Sequence, residues 1–142
     1  MPAANSGTMI PCLAYRDARR AIEWLGRAFG FQPHAVYDGA DGTVAHAELT
    51  LGGGMVMLGS MASEGPFAKL LVHPDQIAGK QTQAPYIIVD DADATYASAK
   101  AAGAEILIDI KEESYGGRGF TCRDLEGYVW NFGTYDPRAA KR

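Results

Sequence analysis

The feature that most constrains this chain is an internal repeat. Asp17 opens a segment that closes at Gly30, and Asp91, 74 residues later, opens a similar one that closes at Gly103. In each, the aspartate stands where a helix N-cap belongs and the glycine where a left-handed C-cap belongs. Between them, Ala18, Ile22, Leu25 and Phe29 lie along one helical face, as do Ala92, Tyr96, Ala99 and Ala102. A strand-like run precedes each helix, Thr8–Tyr15 and Pro85–Val89. Three more follow each: 31–37, 44–51 and 55–58 in the first half, then 105–110, 120–123 and 128–135 in the second. A pattern that returns in order marks two copies of one supersecondary unit.

The expected fold is therefore α+β: two βαβββ modules forming a curved partial barrel with a central cleft. One domain spans 1–142, with modules at 8–60 and 83–135 joined by a linker at 61–82. Gly65-Pro66, Pro74 and Gly79 break the pattern in that linker, and Leu70-Leu71-Val72 forms an apolar patch there. Each module covers one sheet face with its helix and leaves the other bare, to pack against its twin or enclose a ligand.

Composition narrows the partners. The chain has 142 residues, 47% of them hydrophobic, enough to bury about two thirds of its surface without staples. Its net charge of −4 argues against nucleic acid as the main partner. No apolar run is long enough to span a membrane, and Met1–Thr8 does not read as a secretory signal. Cys12 and Cys122 lie far apart in strand-like segments. Both are expected to be reduced, in a cytoplasmic protein.

On the third strand, Ala45, Ala47, Leu49 and Leu51 are expected on one face and His46, Glu48 and Thr50 on the other. If the apolar face meets the helix, His46 and Glu48 point into the cleft. There they are candidates for ligand contact or acid–base work. His34 and His73 read as surface residues. Gly52-Gly53-Gly54 reads as a hairpin turn. Arg118, in the loop Glu112–Gly119, could clamp an anionic group of a ligand. Trp130 and Phe132 are expected under a helix, and Trp24 partly buried on the first one.

Four stretches in order carry a resemblance to a known family. Tyr15-Arg16-Asp17-Ala18 leads to Phe29-Gly30-Phe31. His46-Ala47-Glu48-Leu49 follows, then Val89-Asp90-Asp91-Ala92-Asp93-Ala94. Arg123-Asp124-Leu125-Glu126-Gly127 leads into Trp130-Asn131-Phe132-Gly133-Thr134-Tyr135. These stretches, with the repeat, resemble the vicinal oxygen chelate superfamily (glyoxalases, bleomycin-resistance proteins and extradiol dioxygenases) and within it the PhnB-like branch. The metal positions that the resemblance implies fall near Ile10, Met57, Ala84 and Asn131, which form no ligand set for a divalent ion. No metal and no cofactor is therefore expected. The same positions imply that Cys12, Met55, Met57, Tyr86, Ile88 and Asn131 line the cleft beside His46, Glu48 and Arg118. The expected function is metal-free binding of a small organic ligand, as in antibiotic resistance by sequestration, in a homodimer. The alternatives are a metal-dependent lyase or isomerase using His46 and Glu48, and a metal-free enzyme with His46 as base.

Overall fold

The computed structural model describes residues 4–139. Its elements run β1 (Cys12–Tyr15), α1 (Ala18–Phe29), β2 (Gln32–Asp38), β3 (Val44–Leu51), β4 (Gly54–Ser60), then β5 (Tyr86–Ile88), α2 (Ala92–Ala101), β6 (Glu105–Glu112), β7 (Arg118–Arg123) and β8 (Val129–Gly133). The first sheet has the order β1-β4-β3-β2 and the second β5-β8-β7-β6. In each, the first strand runs parallel to the last and the other neighbours are antiparallel. This is the expected pair of βαβββ modules, with open, unclosed sheets. The linker holds two short 3-10 turns, Ala68–Leu70 and Pro74–Gln76.

The helices form where their caps dictate. Asp17 accepts the Arg20 N–H at 3.1 Å and Asp91 that of Ala94 at 3.0 Å. Gly30, at φ 89°, closes α1 in a conformation that costs other residues strain. On α1, Ala18, Ala21, Trp24, Leu25, Ala28 and Phe29 are buried, while Ile22 is only partly covered. Trp24 is buried rather than half-exposed because α1 packs against α2 as well as its own sheet. Its indole N–H donates to the Ala102 carbonyl at 2.8 Å. Small residues bring the helices together: Ala28 and Ala99 are fully buried, and the Ser98 hydroxyl donates to the Ala28 carbonyl at 2.6 Å.

One core serves both modules. Phe29, at the end of α1, lies 4.6 Å from Phe132 and 5.5 Å from Trp130, ring centre to ring centre. Phe31 meets Trp130, and Phe120 stacks on Phe132. A polar seam locks the joint. Asp124 is buried in the turn before β8. Its carboxylate accepts Tyr15 Oη–H at 2.6 Å, Trp130 Nε1–H at 3.0 Å and the Glu126 and Tyr128 N–H groups. Glu126 accepts the N–H groups of Arg16 and Asp17, and Tyr128 donates to the Ala14 carbonyl. The second module's turn thus caps the entry to the first module's helix.

His73 belongs to this seam and is not a surface residue. It is 2% exposed, with Nε2 2.8 Å from Glu126 Oε1 and Nδ1 accepting the Asp75 N–H. Asp75 in turn holds Arg16 through two hydrogen bonds of 2.7 Å. The linker is thereby pinned to both modules. His34 is exposed, as expected.

Arg118 also departs from its expected place. It opens β7, opposite Glu112, instead of lying in a loop. On β3, Ala45 is exposed and Val44 buried, the reverse of strict alternation. The β2–β3 ladder is irregular there: Tyr37 pairs with His46 but Asp38 with Val44, so the bulge turns Ala45 outward.

Candidate functional site

The helices, packed on each other, cover one face of each sheet, and the opposite faces stay open. Each open face carries a cavity, and the linker helps to line the first.

The first cavity has a volume of about 410 Å³ and lies on the open face of the first sheet. Cys12, Met57 and His46 line it, with Met61, Phe67 and Leu71 contributed by the linker. Cys12 and Met57 are neighbours across the β1–β4 ladder, and Met57 faces Glu48 across β3–β4. His46 Nε2 lies 3.0 Å from Glu48 Oε2, so the two expected partners do meet, on the expected face. Both side chains are partly exposed. Tyr37 pairs with His46 across the hairpin and lies nearly parallel to its ring, 6.1 Å away. Tyr37 is absent from the expected set, because the bulge that brings it opposite His46 leaves no mark in periodicity.

The second cavity, about 320 Å³, lies on the open face of the second sheet. Tyr86 and Asn131, ladder partners on β5 and β8, line it with Thr121, Lys111 and Tyr115. The Asn131 amide is oriented by two bonds: Oδ1 accepts the Thr121 hydroxyl at 2.7 Å, and Nδ2 donates to the Pro85 carbonyl at 3.2 Å. Burial raises the Tyr86 phenol above its ordinary range.

Met55, Ile88 and Arg118 line neither cavity, and Glu48 reaches the first one only through its contact with His46. The Arg118 guanidinium grips Asp93 at 2.9 and 3.0 Å and reaches Glu112 at 3.3 Å. Those carboxylates raise its pKa and occupy the fork that a ligand anion would need. The two cysteines are free: Cys12 is exposed on the open face and Cys122 is in the core. Burial, with the Asp124 charge nearby, pushes the Cys122 thiol up to about 12.

A family model described as Glyoxalase/Bleomycin resistance protein/Dioxygenase superfamily matches residues 8–132. The chain belongs to that superfamily. It is 32% identical to TioX from Micromonospora sp. ML1, covering 94% of this chain and all of that one at a TM-score of 0.69. An uncharacterized protein of Mycobacterium bovis is 28% identical over 87% of this chain and 80% of its own length. The fold is shared with the fosfomycin resistance protein FosX of Listeria monocytogenes, solved as a mutant with Mn(II) and 1S,2S-dihydroxypropylphosphonic acid. That match has 14% identity, 94% coverage of both chains and a TM-score of 0.62.

The superfamily's metal can be tested against the donors present. Ile10 and Ala84 carry none, Met57 offers only a thioether, and the single Asn131 amide cannot hold an ion alone. Among the described residues, no three His, Cys, Asp or Glu side chains come together as a metal site. This donor set does not fit a divalent ion with open coordination positions.

Proposed function

We propose that this protein binds a small, flat organic ligand without a metal, in a cleft that two copies of the chain complete together. The observation that carries this reading is the pair of half-built cavities on open sheet faces. A site for an organic molecule buries 70–90% of its ligand, which neither open face does alone. A two-fold dimer that sets the first sheet of one copy against the second sheet of the other encloses two equal sites. Each would take Cys12, His46, Glu48 and Met57 from one copy and Tyr86 and Asn131 from the other. Met55, Ile88 and Arg118 stay at the margin. Within the superfamily, the motif order supports a PhnB-like branch. A cytoplasmic sequestering role, as in resistance to a toxic compound, follows from this reading.

The experiment is metal content by plasma mass spectrometry, after soaking in Zn²⁺, Ni²⁺, Fe²⁺ or Mn²⁺ and desalting. The reading predicts less than about a tenth of an equivalent throughout. Close to one equivalent per chain would overturn it.

The His46–Glu48 contact favours a second reading, an enzyme in which His46 moves a proton while Glu48 orients its ring. In the proton-transfer case, His46→Ala abolishes turnover and retains ligand affinity; in the binding case it lowers affinity alone.

A further inference from the structure

The second cavity contains a device that the binding reading does not require. The hydroxyl end of the Tyr86 ring packs against Gly133. A methyl group on Gly133 would stand 2.5 Å from Tyr86 Oη and 3.0 Å from Cε1, so the ring occupies the space a side chain would take. Its hydroxyl donates to the Tyr135 carbonyl at 2.7 Å, which fixes the far end of the ring. Gly119, across the ladder from Gly133, is also bare. The end of the Tyr86 ring is thus held between Gly133 and the Tyr135 carbonyl, while 41% of the residue's surface is exposed. An aromatic face held this way is already ordered for stacking and loses little freedom on binding.

Asn131 stands beside it on the neighbouring strand. Pro85 offers only a carbonyl, so the atom facing it must be Nδ2, and the amide orientation follows. A primary amide has two N–H groups and two acceptor positions. Thr121 and Pro85 use one of each, leaving one N–H and one lone pair at the cavity wall.

Building on the ligand-cleft reading, we infer that this half of the cleft is a stacking shelf for a planar aromatic ring that carries an amide-like donor–acceptor edge. Gly133 sets the shelf by leaving room for Tyr86, and Asn131 reads the edge. The ligand class is then a flat aromatic carboxamide or lactam. Gly133 acts through Tyr86, as a positioning residue.

Two probes separate stacking from simple burial: 2-naphthamide and its saturated counterpart decahydro-2-naphthamide, which share the amide edge. Binding is measured by calorimetry to the wild type, Gly133→Ala, Tyr86→Leu, Asn131→Leu and, on the first sheet, Met57→Arg. The wild type is expected to prefer the flat amide by roughly fivefold to tenfold. Gly133→Ala displaces the end of one flexible side chain and no backbone, so it should fold normally while that preference falls toward one. Tyr86→Leu should do the same, and it carries the test should the alanine variant misfold. Asn131→Leu should weaken both amides equally, because they share the edge. A preference that survives both Gly133→Ala and Tyr86→Leu, or a wild type that binds both amides equally, overturns the shelf. If binding still falls in Met57→Arg in those cases, the cleft itself stands. Failure of the wild type to bind either amide overturns the shelf and leaves the cleft to be judged by metal content.

Discussion

Buried ionisable groups decide the behaviour of single residues here. Asp124 accepts four hydrogen bonds at the joint between modules, and burial lifts its carboxyl above the ordinary range despite them. Asp124→Asn turns an amide N–H₂ toward the Tyr15 and Trp130 donors and should cost about 3 kcal/mol in denaturant unfolding. A carboxyl with a raised folded pKa binds its proton more tightly folded than unfolded. Its contribution is therefore full below about pH 4 and declines as pH rises through the lifted value. The stability gap between wild type and variant should narrow from pH 4 toward neutrality; a gap that widens would contradict the assignment. Asp75, Asp109 and Asp136 have the opposite sign, because hydrogen-bonded partners lower them and their contributions fade in acid. The thiols offer a second check. A thiol reagent at pH 8 should label Cys12 at once and Cys122 only after unfolding; rapid labelling of both would place Cys122 outside the core. At this scale the sequence was a partial guide. The His46–Glu48 contact follows from their i, i+2 placement on one strand. The burial of His73 does not, because its partner Glu126 lies 53 residues away.

The two helices show how far local signals reach. Asp17 and Asp91 cap as their positions predict, and either one changed to alanine should lower stability by about 1 kcal/mol in denaturant titrations. A variant with no loss would mean that Glu126, which takes the N–H groups of Arg16 and Asp17, suffices at α1. Strand boundaries were legible to within a few residues, since alternation and glycine turns mark them. The exceptions have physical causes. Gly116, Gly117 and Gly119 around Arg118 predict a loop, yet pairing with Glu112 draws it into β7. Alternation predicts Ala45 on the covered face, because a bulge has no mark in periodicity. The α1–α2 contact was not legible at all: α2 is nearly uniform in small residues, so no stripe announces its second neighbour. Ala28→Leu should push these helices apart and cost about 1–3 kcal/mol, read as a lower melting temperature. An unchanged melting temperature would contradict close helix packing.

At the scale of the whole molecule, the repeat revealed the two modules but not their arrangement. Packing of α1 on α2, with Phe29 against Phe132 and Trp130, places the helices at the joint and leaves both sheet faces open. On these open faces rests the proposed composite site, in which the first sheet of one copy meets the second sheet of another. The most direct measurement mixes two inactive variants, Met57→Arg on the first sheet and Asn131→Arg on the second, under conditions of subunit exchange. Binding of 2-naphthamide is then titrated. In either pure variant both composite sites carry an arginine. In the mixed dimer both arginines fall in one site, and the other is wild type. Neither variant is expected to bind alone, and mixing is expected to restore one site per mixed dimer. No recovery on mixing, with exchange verified by mass, or full binding by a wild-type monomer would contradict the composite site.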